Sequence, residues 1–195
     1  MINRQPMEDA GNLLHQLKSG DPEAVRAFVN EYAPRIHGFI RCLIYSNETA
    51  EDLTQEVLLK AFRKCRQVRN PEQFHSWLFT IARNAALKEM AHKRYRVESS
   101  VDQRFLDELA AGSGNAGMEK ISREQCAILL AEALSTLDEK RREIMALRYY
   151  SGLPLKAIAR VTGLPLGSIG TTITRSLESL RGYFDSRGIS FDDLI

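Results

Sequence analysis

Residues 46–96 read SNETAEDLTQEVLLKAFRKCRQVRNPEQFHSWLFTIARNAALKEMAHKRYR, and the stretch divides by charge. Glu48, Glu51, Asp52 and Glu56 make its first part acidic. Arg63, Lys64, Arg66, Arg69, Arg83, Lys88, Lys93, Arg94 and Arg96 make its second part basic, against only Glu72 and Glu89. Such a segment suits two charged partners, one basic and one acidic. Phe74, Trp77, Phe79 and Tyr95 interleave with the basic residues. Single-stranded nucleic acid asks for that mixture: cations for phosphate, rings for unstacked bases.

Thr49-x-x-Asp52 resembles a capping box and predicts a helix start. At about 100° per residue, Ala50, Leu53, Val57 and Ala61 share one face of that helix. Asp52, Gln55, Glu56, Leu59 and Arg63 fall on the other. Leu59 has two readings, an exposed leucine without consequence or an apolar anchor for a protein contact, ringed by Asp52, Gln55 and Glu56. Asn70-Pro71-Glu72-Gln73 predicts the next helix, with Asn as cap and Pro at the first position. It runs to about Lys93 and buries Phe74, Leu78, Ile81, Ala82 and Ala85. Trp77, Asn84 and Lys88 lie along one edge of that stripe. Trp77 reads as a core residue, the commoner role for a lone Trp, or as a base contact, and the company of Asn84, Lys88 and the 93–96 cluster brings the two readings closer.

Toward the N-terminus, residues before Asp9 are expected to fray. Asp21, Pro22 and Glu23 start a helix that runs to about Tyr32 and buries Val25, Phe28 and Val29. Pro34 ends it, and a further helix from Arg35 to about Tyr45 carries Ile36, Phe39, Ile40, Leu43 and Ile44. Toward the C-terminus the pattern dissolves from Val97 to about Arg123, where the tract 110–117 is rich in Gly, Ala and Ser and reads as a flexible linker. A stripe of Cys126, Leu129, Leu130, Ala133, Leu134 and Leu137 follows. Asp138 caps a helix over Glu139–Tyr150 that buries Ile144, Met145 and Leu147. Residues 152–184, GLPLKAIARVTGLPLGSIGTTITRSLESLRGYF, place Ile158, Ala159, Gly163, Leu164 and Ile169 at helix-turn-helix spacing. A plain helical hairpin with a Gly turn is the competing reading. The expected fold is all-α: a helical domain over 10–96, a linker over 97–123, a helix-turn-helix domain over 124–184 and an acidic tail over 185–195.

The 195 residues are 44% hydrophobic and 27% charged, so cores form and surfaces are polar, and a net charge of +2 leaves any nucleic-acid argument to local charge. The three cysteines, Cys42, Cys65 and Cys126, are far apart and without metal-ligand spacing, as reduced thiols are. The N-terminus shows no signal core, and no apolar run approaches the ~18 residues of a membrane span. A cytoplasmic protein without membrane insertion is expected. The four histidines stand singly, and no P-loop, GxGxxG, GxSxG or HExxH occurs. The sequence thus argues against an enzyme, a cofactor, a bound metal and a small-molecule substrate.

With both segments read, the chain resembles the bacterial sigma factors of the extracytoplasmic-function subgroup. The resemblance covers residues ~20–96 and ~125–184. Ala50-Glu51-Asp52-Leu53-Thr54-Gln55-Glu56 is similar to the region 2 helix that docks on the polymerase clamp. Phe74 through Asn84, FHSWLFTIARN, is similar to the promoter-melting motif, and Leu137 through Leu180 resembles region 4, which reads the -35 element. The resemblance implies core RNA polymerase and promoter DNA as partners and leaves an anti-sigma factor open. It implies polymerase contacts at Asp52, Gln55, Glu56 and Leu59. It implies -10 contacts at Arg69, Asn70, Trp77, Asn84, Lys88, Lys93, Arg94 and Arg96. The -35 contacts would be Lys156, Arg160, Ser168, Thr171, Thr172, Thr174 and Arg175. Gly170, Thr172 and Thr174 stand where the family often has Lys, Arg and His, and Pro154 and Pro165 where it often has a capping Ser, so weak -35 reading is expected. A stand-alone helix-turn-helix regulator and a protein-interaction adaptor with the same fold are the alternatives.

Overall fold

The structure is a computed structural model and describes residues 10–96, 130 and 132–189. The expected linker, the terminal tail beyond residue 189, Cys126 and Leu129 lie outside the described residues. The first half comprises α1 (Ala10–Ser19), α2 (Pro22–Leu43), α3 (Asn47–Lys64) and α4 (Phe74–Arg96). The second comprises α5 (Glu139–Tyr150), α6 (Leu155–Thr162) and α7 (Leu166–Asp185).

Sequence periodicity marks no helix ahead of residue 22, yet α1 forms and buries Leu14 and Leu17. Lys18 Nζ donates to the Val68 carbonyl at 2.6 Å and Arg66 Nε to the Lys18 carbonyl at 3.2 Å, tying α1 to the loop ahead of α4. Asp21 caps α2 as expected, accepting from the Glu23 amide at 3.0 Å. The expected break at Pro34 does not occur, and α2 runs through it. Pro34 and Asn30 both face solvent, so the carbonyl deprived of a partner is left to water. Val29, expected in the core, is 39% exposed, and Ala24, Phe28 and Tyr32 form the buried stripe instead.

α3 begins ahead of the expected box. Its cap is Ser46, whose Oγ accepts from the Thr49 amide at 3.3 Å and from the Thr49 hydroxyl at 3.0 Å. Ala50, Thr54, Val57 and Ala61 are buried, and Leu53 only half so. Asn70 caps a 3-10 turn, Pro71–Gln73, with its Oδ1 accepting from the Glu72 amide at 3.0 Å. α4 follows and buries Phe74, Leu78, Phe79, Ala82 and Ala86, with Ala85 half-buried beside them. Phe74, Phe28 and Tyr32 pack with ring centroids 5.3–6.1 Å apart.

In the second half Asp138 caps α5, accepting from the Arg141 amide at 2.9 Å. Ala133, Leu134, Leu137, Met145, Leu180 and Phe184 form a small core of its own. The larger core is shared. Ile144, Leu147, Leu153, Ala157, Ile158, Val161 and Ile169 join one cluster with Ile36, Phe39, Ile40 and the apolar residues of α3 and α4. α5 lies against α2, and α6 against α4.

His75 is 8% exposed and hydrogen-bonded to Tyr32 Oη at 2.6 Å. Burial, with the nearby Arg35 charge adding, lowers its pKa from 6.5 to about 4. The folded state therefore resists protonation that the unfolded chain accepts. The contribution is whole above the unfolded pKa and is lost as pH falls from about 6.5 toward about 4. Denaturant titrations over that range are expected to show a loss of about 3 kcal/mol from this group, and His75→Gln to flatten the dependence.

Candidate nucleic-acid and protein interfaces

Burial of Ala50, Thr54, Val57 and Ala61 fixes the rotation of α3 and turns Asp52, Gln55 and Glu56 to solvent. Leu59 is 57% exposed among them, and Phe62, one turn further on, is 38% exposed. Residues three apart on a helix are neighbours, so the two form an apolar pair edged by carboxylates. Asp52 and Glu56 carry no ion pair among the described residues. The sequence reading missed Phe62, although its spacing from Leu59 was the available signal.

Arg69 and Asn70 are exposed on the connector into α4, and Asn84 and Lys88 on the helix itself. Trp77 is half-buried. Its ring stacks on Phe74 with centroids 5.9 Å apart and planes 28° apart, so it is both core edge and surface. α4 continues through Lys93, Arg94 and Arg96, whose side chains lie outside the described residues. Arg83 departs from the basic face: its Nε bonds Glu143 Oε1 of the second half, and the two side chains are 21% and 10% exposed. Gln73, Ser76, Trp77 and Thr80 share a groove of about 220 Å³ with Arg160 and Val161 of α6.

The turn between α6 and α7 is closed by Gly163 at φ 73°, ψ 11°, a left-handed position that favours glycine. Buried Ile158 and Ile169 pin the two helices on either side. Pro154 and Pro165 occupy the two caps and supply no side-chain acceptor. Lys156, Arg160, Ser168, Thr171, Thr174 and Arg175 are exposed and Thr172 half-buried. The Thr171 hydroxyl donates to the Gly167 carbonyl at 3.0 Å, so its proton is engaged within the helix. A Cβ added at Gly170 meets nothing within 4 Å.

Among the described residues no group of His, Cys, Asp or Glu converges as metal ligands, and no helix is long and apolar enough to cross a membrane. Burial pushes the Cys42 thiol up to about 11, so it stays protonated at neutral pH.

Residues 28–96 match the family described as Sigma-70 region 2, and residues 127–180 match Sigma-70, region 4. The ECF RNA polymerase sigma-E factor of Escherichia coli K12 is 26% identical over 175 residues, 86% of this chain and 90% of that protein. The chain belongs to the extracytoplasmic-function sigma factors. It is a transcription initiation factor and not an enzyme. The sigma factor is also similar to the RNA polymerase sigma-H factor of Pseudomonas aeruginosa, at 28% identity over 184 residues, 89% of this chain and 92% of that one. Among solved structures, CnrH in complex with the cytosolic domain of CnrY shares the fold, with a TM-score of 0.62 and 21% identity over 90% of this chain and 96% of that one. RpoE of Bartonella quintana, solved with the anti-sigma factor NepR, gives a TM-score of 0.57 at 25% identity over 80% of this chain and 94% of that one.

Two outcomes follow from the geometry of this sigma factor. Phe74→Ala removes a fully buried ring and is expected to cost ~3–5 kcal/mol. Trp77→Ala removes a half-buried one and is expected to cost about half as much, as paired urea titrations will show. Gly170→Lys has room, adds a cation and removes a helix-interior Gly worth ~0.5–1 kcal/mol. It is expected to raise full-length affinity for a -35 duplex and steepen the salt slope by about 0.9; a measured fall with the fold intact would reject this.

Proposed function

We propose that this sigma factor docks on core RNA polymerase through the solvent face of α3, at Asp52, Gln55, Glu56 and Leu59, with Phe62 extending the apolar contact. The observation that carries the reading is that exposed face. Leu59 and Phe62 stand open to solvent beside unpaired carboxylates, while the opposite face of the same helix is buried. An apolar centre rimmed by charge is how protein interfaces gain both affinity and register.

The opened -10 strand is captured by Arg69, Asn70, Trp77, Asn84, Lys88, Lys93, Arg94 and Arg96. The exposed part of Trp77 offers a stacking platform, and the cations neutralise phosphate. Taking bases out of the stack costs a few kcal/mol each, which such contacts offset. Duplex contact at -35 falls to Lys156, Arg160, Ser168, Thr171, Thr172, Thr174 and Arg175. With three cations and no guanidinium fork beyond Arg160 and Arg175, that contact is weak and partly by shape. Residues 10–96 and 124–184 act as the two promoter-reading units, joined through 97–123, and the protein works in the cytoplasm beside its polymerase. The complex of RpoE with NepR supports an anti-sigma protein as a further partner.

Asp52→Ala with Glu56→Ala is expected to weaken core binding about tenfold, ~1.4 kcal/mol, and to leave the thermal midpoint unchanged because both side chains are exposed. Titration of labelled core polymerase decides it, and unchanged affinity in the folded double variant would sink the docking assignment.

A further inference from the structure

The loop that carries Arg69 and Asn70 consists of two short 3-10 turns, Cys65–Gln67 and Pro71–Gln73, and the residues between them. Cys65 and Val68 are buried, and Arg66, Gln67, Arg69 and Asn70 are exposed. The loop rests on α1. Lys18, half-buried in the last turn of that helix, donates from Nζ to the Val68 carbonyl at 2.6 Å. In return Arg66 Nε donates to the Lys18 carbonyl at 3.2 Å. Carbonyls in the last turn of a helix have no partner inside it, and a cation is favoured there. Toward the other end of α1, a Cβ built on Gly11 would stand 3.6 Å from Pro71 Cβ, so the helix also touches the second turn. α1 is itself fixed, with Leu14 and Leu17 buried in the same core as Phe28, Tyr32 and Phe74.

The Lys18 bond sets one peptide plane. The Val68 carbonyl and the Arg69 amide belong to the same planar trans unit, in which C=O and N–H point opposite ways. With the carbonyl turned onto α1, the Arg69 N–H is turned away from it. Beyond Arg69, the Asn70 Oδ1 accepts from the Glu72 amide at 3.0 Å and the Asn70 carbonyl from the Gln73 amide at 3.1 Å. The exposed pair is therefore set from both sides, by α1 through Val68 and by the second turn through Asn70.

We propose that Lys18 is a positioning residue for -10 recognition, its bond to Val68 fixing the Arg69–Asn70 edge in the orientation that meets the opened strand. The proposal rests on the -10 face assigned above, and it adds a helix that lies ahead of the family match at residues 28–96. Lys18 acts through the loop and not on DNA, because its ammonium is half-buried and engaged on a carbonyl. A contact edge held in place before binding loses less conformational freedom when the strand arrives, and it adjusts less readily to a wrong base.

The full-length protein bound to core polymerase provides the test. The probe is a labelled single strand selected by the wild-type complex from a DNA pool randomised over the -10 positions, beside the same strand with one base substituted. Lys18→Met keeps the apolar stem and the helix propensity and removes the donor. It is expected to weaken binding of the selected strand about tenfold and to narrow discrimination against the substituted strand by a similar factor. The slope of log affinity against log salt is expected to keep its wild-type value, since no phosphate contact is lost. Lys18→Gln, one atom shorter and uncharged, is expected to behave as Lys18→Met. Lys18→Arg, which carries donors at similar reach, is expected to restore both affinity and discrimination. Arg69→Ala with Asn70→Ala is the benchmark for the -10 face, and unchanged strand affinity in it would remove that assignment and the proposal with it. A benchmark loss beside wild-type affinity and discrimination in both Lys18→Met and Lys18→Gln would overturn the positioning role alone. So would equal losses on the two strands, the mark of general structural support. A salt slope shallower by about 0.7 in Lys18→Met would make Lys18 a direct phosphate contact and overturn it likewise.

Discussion

The placement of α5 constrains everything around it. Its central residues are covered on all sides, including the charged Arg142 and Glu143. A buried cation is costly unless its donors are satisfied. Arg142 meets that condition with the carbonyls of Leu134, Ser135 and Leu137 and the Tyr45 hydroxyl. It thereby shapes the turn into α5 and anchors that turn to the first half. α2 has to run unbroken through Pro34 for this to work, because Arg35 and Gly38, which grip α5, lie just beyond the proline. A helix-interior proline costs about 3 kcal/mol, and the packing of Arg35 and Gly38 beyond it, which a break would misplace, offsets that cost.

The same arrangement redistributes charge. By composition Arg83 belongs to the basic segment, but the fold commits it to Glu143. Arg83 is thus already engaged in a half-buried pair, which makes it a poor candidate for a transient phosphate contact. Asp52 and Glu56 follow the opposite course. Their helix buries small residues opposite them and leaves both without partners among the described residues. Charge meant for another molecule is thus distinguished from charge used internally by the burial of the element beneath it.

The recognition helix shows how little a fold class says about binding strength. α6 and α7 have the turn glycine and apolar pins of a helix-turn-helix, yet α7 presents threonines and a glycine in its early turns. One threonine proton is already engaged in the helix. Architecture places the helix, and its surface residues set how firmly it holds DNA.

Local chemistry was legible in the sequence alone. The caps Asp21, Asn70 and Asp138, the left-handed turn at Gly163, the acidic face of α3 and the all-helical class each depend on a few neighbouring residues and a short period. Local signals that met competition misled: Ser46 displaced Thr49 as cap, and α2 runs through Pro34. Phe62 was visible in principle, since it stands one turn from Leu59. The sharing of one core by the two halves was not visible, nor were the His75–Tyr32 bond across 43 residues and the Arg83–Glu143 pair across 60. The run Ile144-Met145-Ala146-Leu147, apolar on every side of a helix, hinted that α5 has two partners but not which. Such contacts have no sequence period, because they form between elements whose relative placement only the packing of the whole chain decides.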